Sequence, residues 1–449
     1  MQLISETVVQ GGPKGPNRKP VYPTALDVDL TDPRRFTGGQ PWDAFRTLRD
    51  QAPVYWHEEK TPTEPGFWAV TRHADVMRVN GDPTTFSSQR GGILMAHGTP
   101  DARHPLLFRA SMDAMINMDA PHHLQLRKEH MPYFTPRYLA ELRGKVEAEV
   151  DRLLDLFGDE GGCCLVEKLS SRLPLFTLGE ILGVPVEDRG KFVNWMHYLE
   201  LAGNFAAERA AGATMEPTIE LMQFIQAFNE NVEEMFEYGR RMLHDRRTTP
   251  ANDLMTAIAR AQVDGELLSD EYLDGSWLLI VFAGNDTTRN TISGALKLLT
   301  EFPEEKRKLI ERPELLKNAA DEFIRMVSPV IYMRRTATAN TEVNGQAIAE
   351  GDKVVMYYGA ANRDERVFTD PDRLDVERAN AGKHIAFGYG PHVCLGQRVA
   401  NLQLEAVYGR LLQRFPDIEW TGEIDIAPNN FVHAIRSLPV RFTPERRAA

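Results

Sequence analysis

Cys394 lies in Phe387-Gly388-Tyr389-Gly390-Pro391-His392-Val393-Cys394-Leu395-Gly396, and the run from Arg398 onward reads as a helix with an apolar stripe. The glycines permit a tight loop whose amides point inward. A cysteine at a helix N-terminus, ringed by such donors, is held as thiolate by the dipole and the N–H groups. A thiolate presented this way is a metal ligand or a nucleophile. His392, two residues away, is the base a nucleophile would want, yet no local protease signature surrounds it. Without a second cysteine or histidine at metal-finger spacing, the thiolate cannot close a zinc site. It can serve as the one protein ligand to a haem iron, where it favours O–O cleavage.

Other residues stand at spacings that invite pairing. Glu322 and Arg325 fall at i,i+3 on a helical stretch, and His123 and Arg127 at i,i+4 with Pro121 at the start of theirs. In Ala283-Gly284-Asn285-Asp286-Thr287-Thr288, an aspartate and two threonines are poor helix-interior residues. A threonine hydroxyl there can bond the i−4 carbonyl and bend the helix, and Gly284 leaves room for a ligand near the backbone. An N-cap splitting two helices is the alternative. The apolar flanks, Trp277 to Phe282 on one side and Ile292 and Leu296 on the other, favour one long helix over 269–301.

The elements that must position these residues are mainly helical. Residues 1–22 read as a flexible arm. A helix is expected from Pro41 to Gln51, β-rich pieces at 53–57 and 66–71, and a long loop with short helical pieces over 89–120. Helix dominates from Pro121 to about Ile310 and continues over 313–326. A β-rich stretch follows from Met333 to Val355, and the helix after Cys394 reaches about Arg414. Residues 23–449 therefore read as one domain, mainly α with a minor β part, large enough to need something sizeable at its centre. The 449 residues are 42% hydrophobic and 26% charged, the composition of a soluble protein. A formal net charge of −12 argues against nucleic acid as the main partner. The sequence shows no span long and apolar enough for a membrane and no signal peptide. Three cysteines, two of them the neighbours Cys163 and Cys164, form no disulfide framework, so a reducing, cytoplasmic setting is expected.

With its Phe-Gly-x-Gly-x-His-x-Cys-x-Gly motif, the sequence resembles the cytochrome P450 family, over about Pro41 to Pro439. The resemblance implies a triangular helical domain enclosing haem b, with Cys394 as the thiolate ligand to the iron. It implies that His123, Arg127, Arg335 and His392 hold the haem propionates and that Phe387 packs at the cofactor. Arg335 is preferred to its neighbour Arg334 on register with Gly345 and Gly351. Glu322, Arg325 and a third residue matching Arg378 are implied to hold the fold. Asp286 and Thr287 are implied to deliver protons as oxygen is activated, a task suited to an acid beside an alcohol. Carried-over pocket residues are Ile93, Leu94, Met95, Phe205, Ala283, Val330, Ile331 and Phe431. The methionines 112, 115 and 118 fit either a pocket cover or ordinary core.

The activity implied is insertion of one atom of O2 into a C–H bond of a hydrophobic substrate. Ser328 to Ala337 and Ala361-Asn362-Arg363-Asp364 look similar to the bacterial branch that oxidises steroid side chains and branched lipids; terpenoid hydroxylation or aromatic O-dealkylation would use the same core. No flavin or iron–sulfur domain and no dinucleotide fingerprint appears in the sequence, so electrons are expected from a ferredoxin and its ferredoxin reductase. Lys128, Arg137 and Arg398 offer a basic patch to such a carrier. A haem-binding sensor without turnover is the rival, and Asp286 with Thr287 speaks against it.

Overall fold

Caps and apolar spacing set the helical layer. Thr135 accepts the Tyr138 amide, Pro136 occupies the first turn, and Pro136–Asp155 then buries Leu139, Leu142, Val146, Val150 and Leu153. That stripe packs against Gln397–Arg414, the helix that follows Cys394. Arg143–Glu405 at 2.9 Å and Arg410–Asp151 at 3.1 Å line the seam. The computed structural model describes residues 15–59, 65–94, 104–210 and 218–445, with only the backbone over 203–210. Within these the fold is mainly α with a minor β part, as the sequence implied.

The principal sheet runs in the order Val54–Glu58, Gly66–Val70, Lys353–Tyr357, Tyr332–Ala337, Phe86–Ser87. Only Gly66–Val70 with Lys353–Tyr357 is parallel. Strand alternation sends the adjacent Arg334 and Arg335 to opposite faces. Opposite this sheet, Leu316–Val327 buries Glu322 and Arg325 completely. Arg325 Nε and Nη2 fork onto the Glu322 carboxylate at 2.7 and 2.8 Å, and Nη1 donates to the Asn362 and Pro371 carbonyls. Arg378 joins the same carboxylate at 3.0 Å and donates to Thr369 and Arg373 carbonyls. Asn362 Oδ1 in turn accepts the Ile385 amide at 2.8 Å, so this network reaches the loop that carries Cys394.

Several expectations are sharpened or corrected. The helix expected over 269–301 is two, Asp270–Ala283 and Asp286–Glu301, broken at Gly284 and Asn285. Gly284 and Asn285 both stay in the right-handed helical region, but the Asn285 amide turns to the Phe282 carbonyl at 3.5 Å, which is the split the apolar flanks had argued against. Met115 and Met118 are buried in the main core. Cys163 and Cys164 lie in the strand Gly162–Cys164 against Pro439–Arg441 and are free thiols. The arm is pinned at its inner end: Val21 N–H donates to Gln346 Oε1 at 2.8 Å, and Asn17 Nδ2 to the Asp352 carboxylate. Residues 1–14 lie outside the described residues.

Candidate active site

Gly388 and Gly390 both adopt positive φ, +75° and +72°, and a Cβ on Gly390 would come 2.8 Å from the Asn80 carbonyl. These turns carry the chain to Cys394, whose amide donates to the Phe387 carbonyl at 2.9 Å. Phe387 packs against His384, ring centroids 5.4 Å apart. The amides of Gly396 and Gln397 donate to the sulfur, as expected at a helix start, and Arg127 lies close enough to favour the thiolate. Burial nevertheless outweighs all three and pushes the thiol pKa up. Cys394 is itself exposed. Among the described residues no group of three or more His, Cys, Asp or Glu could hold a metal ion.

Four basic groups gather beside that loop. His123, on the helix His122–His130, stacks on His392 with centroids 3.9 Å apart. One turn on, Arg127 Nη2 donates to the Val393 carbonyl at 2.6 Å. Arg335 Nη2 donates to Asn80 Oδ1 at 3.3 Å, and both histidines feel its charge. Burial first, then Arg127 and Arg335, holds His123 at about 4. Burial, then Arg335, His123 and Arg127, holds His392 at about 2. The one acid bearing on His123 and Arg335 is Asp119, whose oxygens are already spent on Ser87 Oγ and the Ser88 amide. Asp119 is one carboxylate against two arginines, so the cluster suits anions brought by a ligand. Arg334 points elsewhere, donating to the Leu94 carbonyl at 3.3 Å.

On the broken helix, Phe282 and Ala283 are exposed although Val281 and Asn285 on either side are buried. Thr287 Oγ1 donates to the Ala283 carbonyl at 3.1 Å, the i−4 bond anticipated from sequence. Gly284 does not open room for a ligand as expected: a Cβ there would lie 3.1 Å from Leu178 Cδ1 and from the Ile280 carbonyl. Burial raises the Asp286 pKa, Arg289 pulls it back, and Glu200 pushes it up again.

Known proteins settle the relationship. The model of the family described as Cytochrome P450 matches residues 112–429. The chain belongs to the cytochrome P450 family. Linalool 8-monooxygenase of Pseudomonas putida is 36% identical over 423 residues, covering 93% of this chain and 99% of that one. Steroid C26-monooxygenase of Mycobacterium tuberculosis is 33% identical over 423 residues, covering 94% and 98%. Among solved structures, a Mycobacterium marinum cytochrome P450 in complex with pseudoionone superposes with a TM-score of 0.82 at 34% identity, covering 94% of this chain and all of that one.

As a P450 monooxygenase the protein uses haem, and the residues present fit it. The Cys394 sulfur is exposed at its helix start, and Arg127 and Arg335 stand beside its loop as donors for anionic groups. When bound, haem supplies the iron at which dioxygen is reduced and activated. The carried-over pocket residues divide. Ala283 and half-buried Leu94, Val330 and Phe431 keep exposed surface, and Ile93 is nearly buried. Ile331 is wholly enclosed in a core cluster with Phe45 and Tyr357, leaving no surface toward a pocket. Met95 lies outside the described residues, and Phe205 is on the helix Arg189–Ala210 where only backbone is described. Sequence reading missed Arg289 and Glu200. Arg289 sits at i+3 from Asp286, a spacing that could have drawn attention; Glu200 reaches the site only through the fold.

Proposed function

We propose that this P450 binds haem b and inserts one oxygen atom from O2 into a C–H bond of a terpenoid, steroid side chain or branched lipid. Cys394 is the axial ligand, with His123, Arg127, Arg335 and His392 on the propionates and Phe387 against the ring. The observation that carries this is the sulfur of Cys394 at a helix start, facing the Gly396 and Gln397 amides, with His123, Arg127, Arg335 and His392 gathered beside its loop. Burial makes Asp286 harder to ionise, which suits a group that carries a proton. Thr287 can rotate its hydroxyl from the Ala283 carbonyl to pass one on. The apolar pocket and relatives named for linalool and steroid oxidation support the substrate class.

A ferredoxin, kept reduced by its reductase, supplies electrons on this reading. Lys128, Arg137 and Arg398 are exposed and offer it a basic face. The reduced carbon monoxide complex tests the ligand: a strongly red-shifted Soret band is expected, and its absence overturns the thiolate assignment. Spectral titration with linalool-like alcohols, sterols, fatty acids and alkyl phenols tests the substrate. A high-spin shift is expected with the first two classes, and a response confined to alkyl phenols overturns that choice.

A further inference from the structure

Arg289 stands one turn beyond Asp286 on the helix Asp286–Glu301, and its side chain is only 8% exposed. It lies between two carboxylates from two different helices. Its Nη1 donates to Glu200 Oε2 at 3.0 Å, and its Nη2 is 3.6 Å from Asp286 Oδ1. The first is a hydrogen bond and the second is not. Glu200 belongs to Arg189–Ala210, so the better contact of this guanidinium is made across the fold. Its Nε has no partner among the described residues. Asn285 Nδ2 donates to Asp286 Oδ1 at 3.1 Å. Arg289 and Glu200 are the charged groups bearing on the Asp286 carboxyl among the described residues.

We propose that Arg289 is a positioning residue which Glu200 draws partly away from Asp286, so that the docking of the Arg189–Ala210 helix sets the charge on Asp286. With Glu200 in place the fork is committed elsewhere and the buried Asp286 resists ionisation. With Glu200 withdrawn, Arg289 is free to close the i,i+3 pair and favours the ionised carboxylate. The directions of the electrostatic influences agree, since Arg289 favours the carboxylate and Glu200 opposes it. The inference rests on the reading of Asp286 as the proton-holding group.

Two substitutions must act in opposite directions. In the resting holoenzyme, the infrared carbonyl stretch of the protonated Asp286 carboxyl is identified by its loss in Asp286→Asn and followed against pH. Glu200→Gln is expected to lower the midpoint of that band by about one pH unit and Arg289→Gln to raise it by about one. The high-pH limb of product formation moves with it. Midpoints that stay put, or move the same way in both variants, overturn the proposal; a merely structural role predicts no opposed shift. Should Arg289→Gln not fold, Glu200→Gln and the milder Glu200→Asp decide by direction: downward supports, unmoved or upward overturns. Full product yield in Asp286→Asn would instead sink the proton-delivery reading and leave the band shifts to be judged separately.

Discussion

Two buried arginines hold carboxylates in this molecule, and they hold them differently. Arg325 is fully enclosed and every side-chain nitrogen is spoken for: two on Glu322 and one on the Asn362 and Pro371 carbonyls, with Arg378 completing the acid. Arg289 has one good bond, to Glu200, one looser ion contact, to Asp286, and an unpartnered Nε. A satisfied network in a low-dielectric interior has one arrangement and strongly resists change. A half-satisfied one has a second arrangement close in energy. The first reaches the cysteine loop through Asn362; the second adjoins Asp286, the acid proposed to carry a proton.

The contrast breaks most visibly at its rigid end. Glu322→Ala strands two buried guanidinium groups, and removing one partner of such a pair costs about 3–5 kcal/mol. The expected outcome is loss of soluble, haem-loaded protein, read by yield and by thermal unfolding. Normal yield and unchanged Tm would show that the network is dispensable. Thr287→Ala should leave the fold intact, because the hydroxyl bonds only the carbonyl of its own preceding turn. Product per NADPH consumed is expected to fall, up to about 100-fold, with peroxide released in its place. Equal coupling in the variant and the parent would remove Thr287 from proton delivery. A smaller effect separates the two neighbours on the Tyr332–Ala337 strand. Arg335→Gln is expected to release haem to an acceptor globin about tenfold faster, the loss of one charge-assisted contact. Arg334→Gln, facing the Leu94 carbonyl, should change that rate far less.

The cysteine loop and the Glu322–Arg325 pair were legible because local spacing carries them: glycines at fixed offsets, and an acid and base one turn apart. Arg335 was preferred to Arg334 on register with Gly345 and Gly351, and the fold puts Arg335 on Asn80 beside the two histidines while Arg334 turns to the Leu94 carbonyl. The helix break at Gly284 and Asn285 was not. Apolar residues on both sides continue the helical period, and period alone cannot show that the Asn285 amide turns to the Phe282 carbonyl. Nor could the sequence foretell that Leu178 fills the space beside Gly284, or that Ile331 turns into the core. The sign of the Cys394 shift was missed for a similar reason. Dipole and amide donors can be read from a motif, whereas burial depends on everything packed around the sulfur.

The subtlest consequence concerns stability. Burial raises the Asp286 pKa in the folded chain above that of the unfolded one. The folded state then binds more protons at this site, so the site's contribution to stability is fully present below the unfolded value, about 4, and is lost as pH rises through the folded value. At neutral pH, burying this acid works against the fold. Asp286→Asn keeps the shape and an Nδ2 or Oδ1 for its neighbours but cannot ionise. It is therefore expected to unfold at a higher temperature than the parent at pH 8, with the gap closing as pH falls toward 4. Glu322 differs: its acid is matched by two arginines, so Glu322→Gln should destabilise at pH 8. Thermal scans of the three proteins across pH read both at once. A gap for Asp286→Asn that is absent at pH 8, or that widens on acidification, would mean that Asp286 is as well compensated as Glu322 and that the two regions do not differ as described.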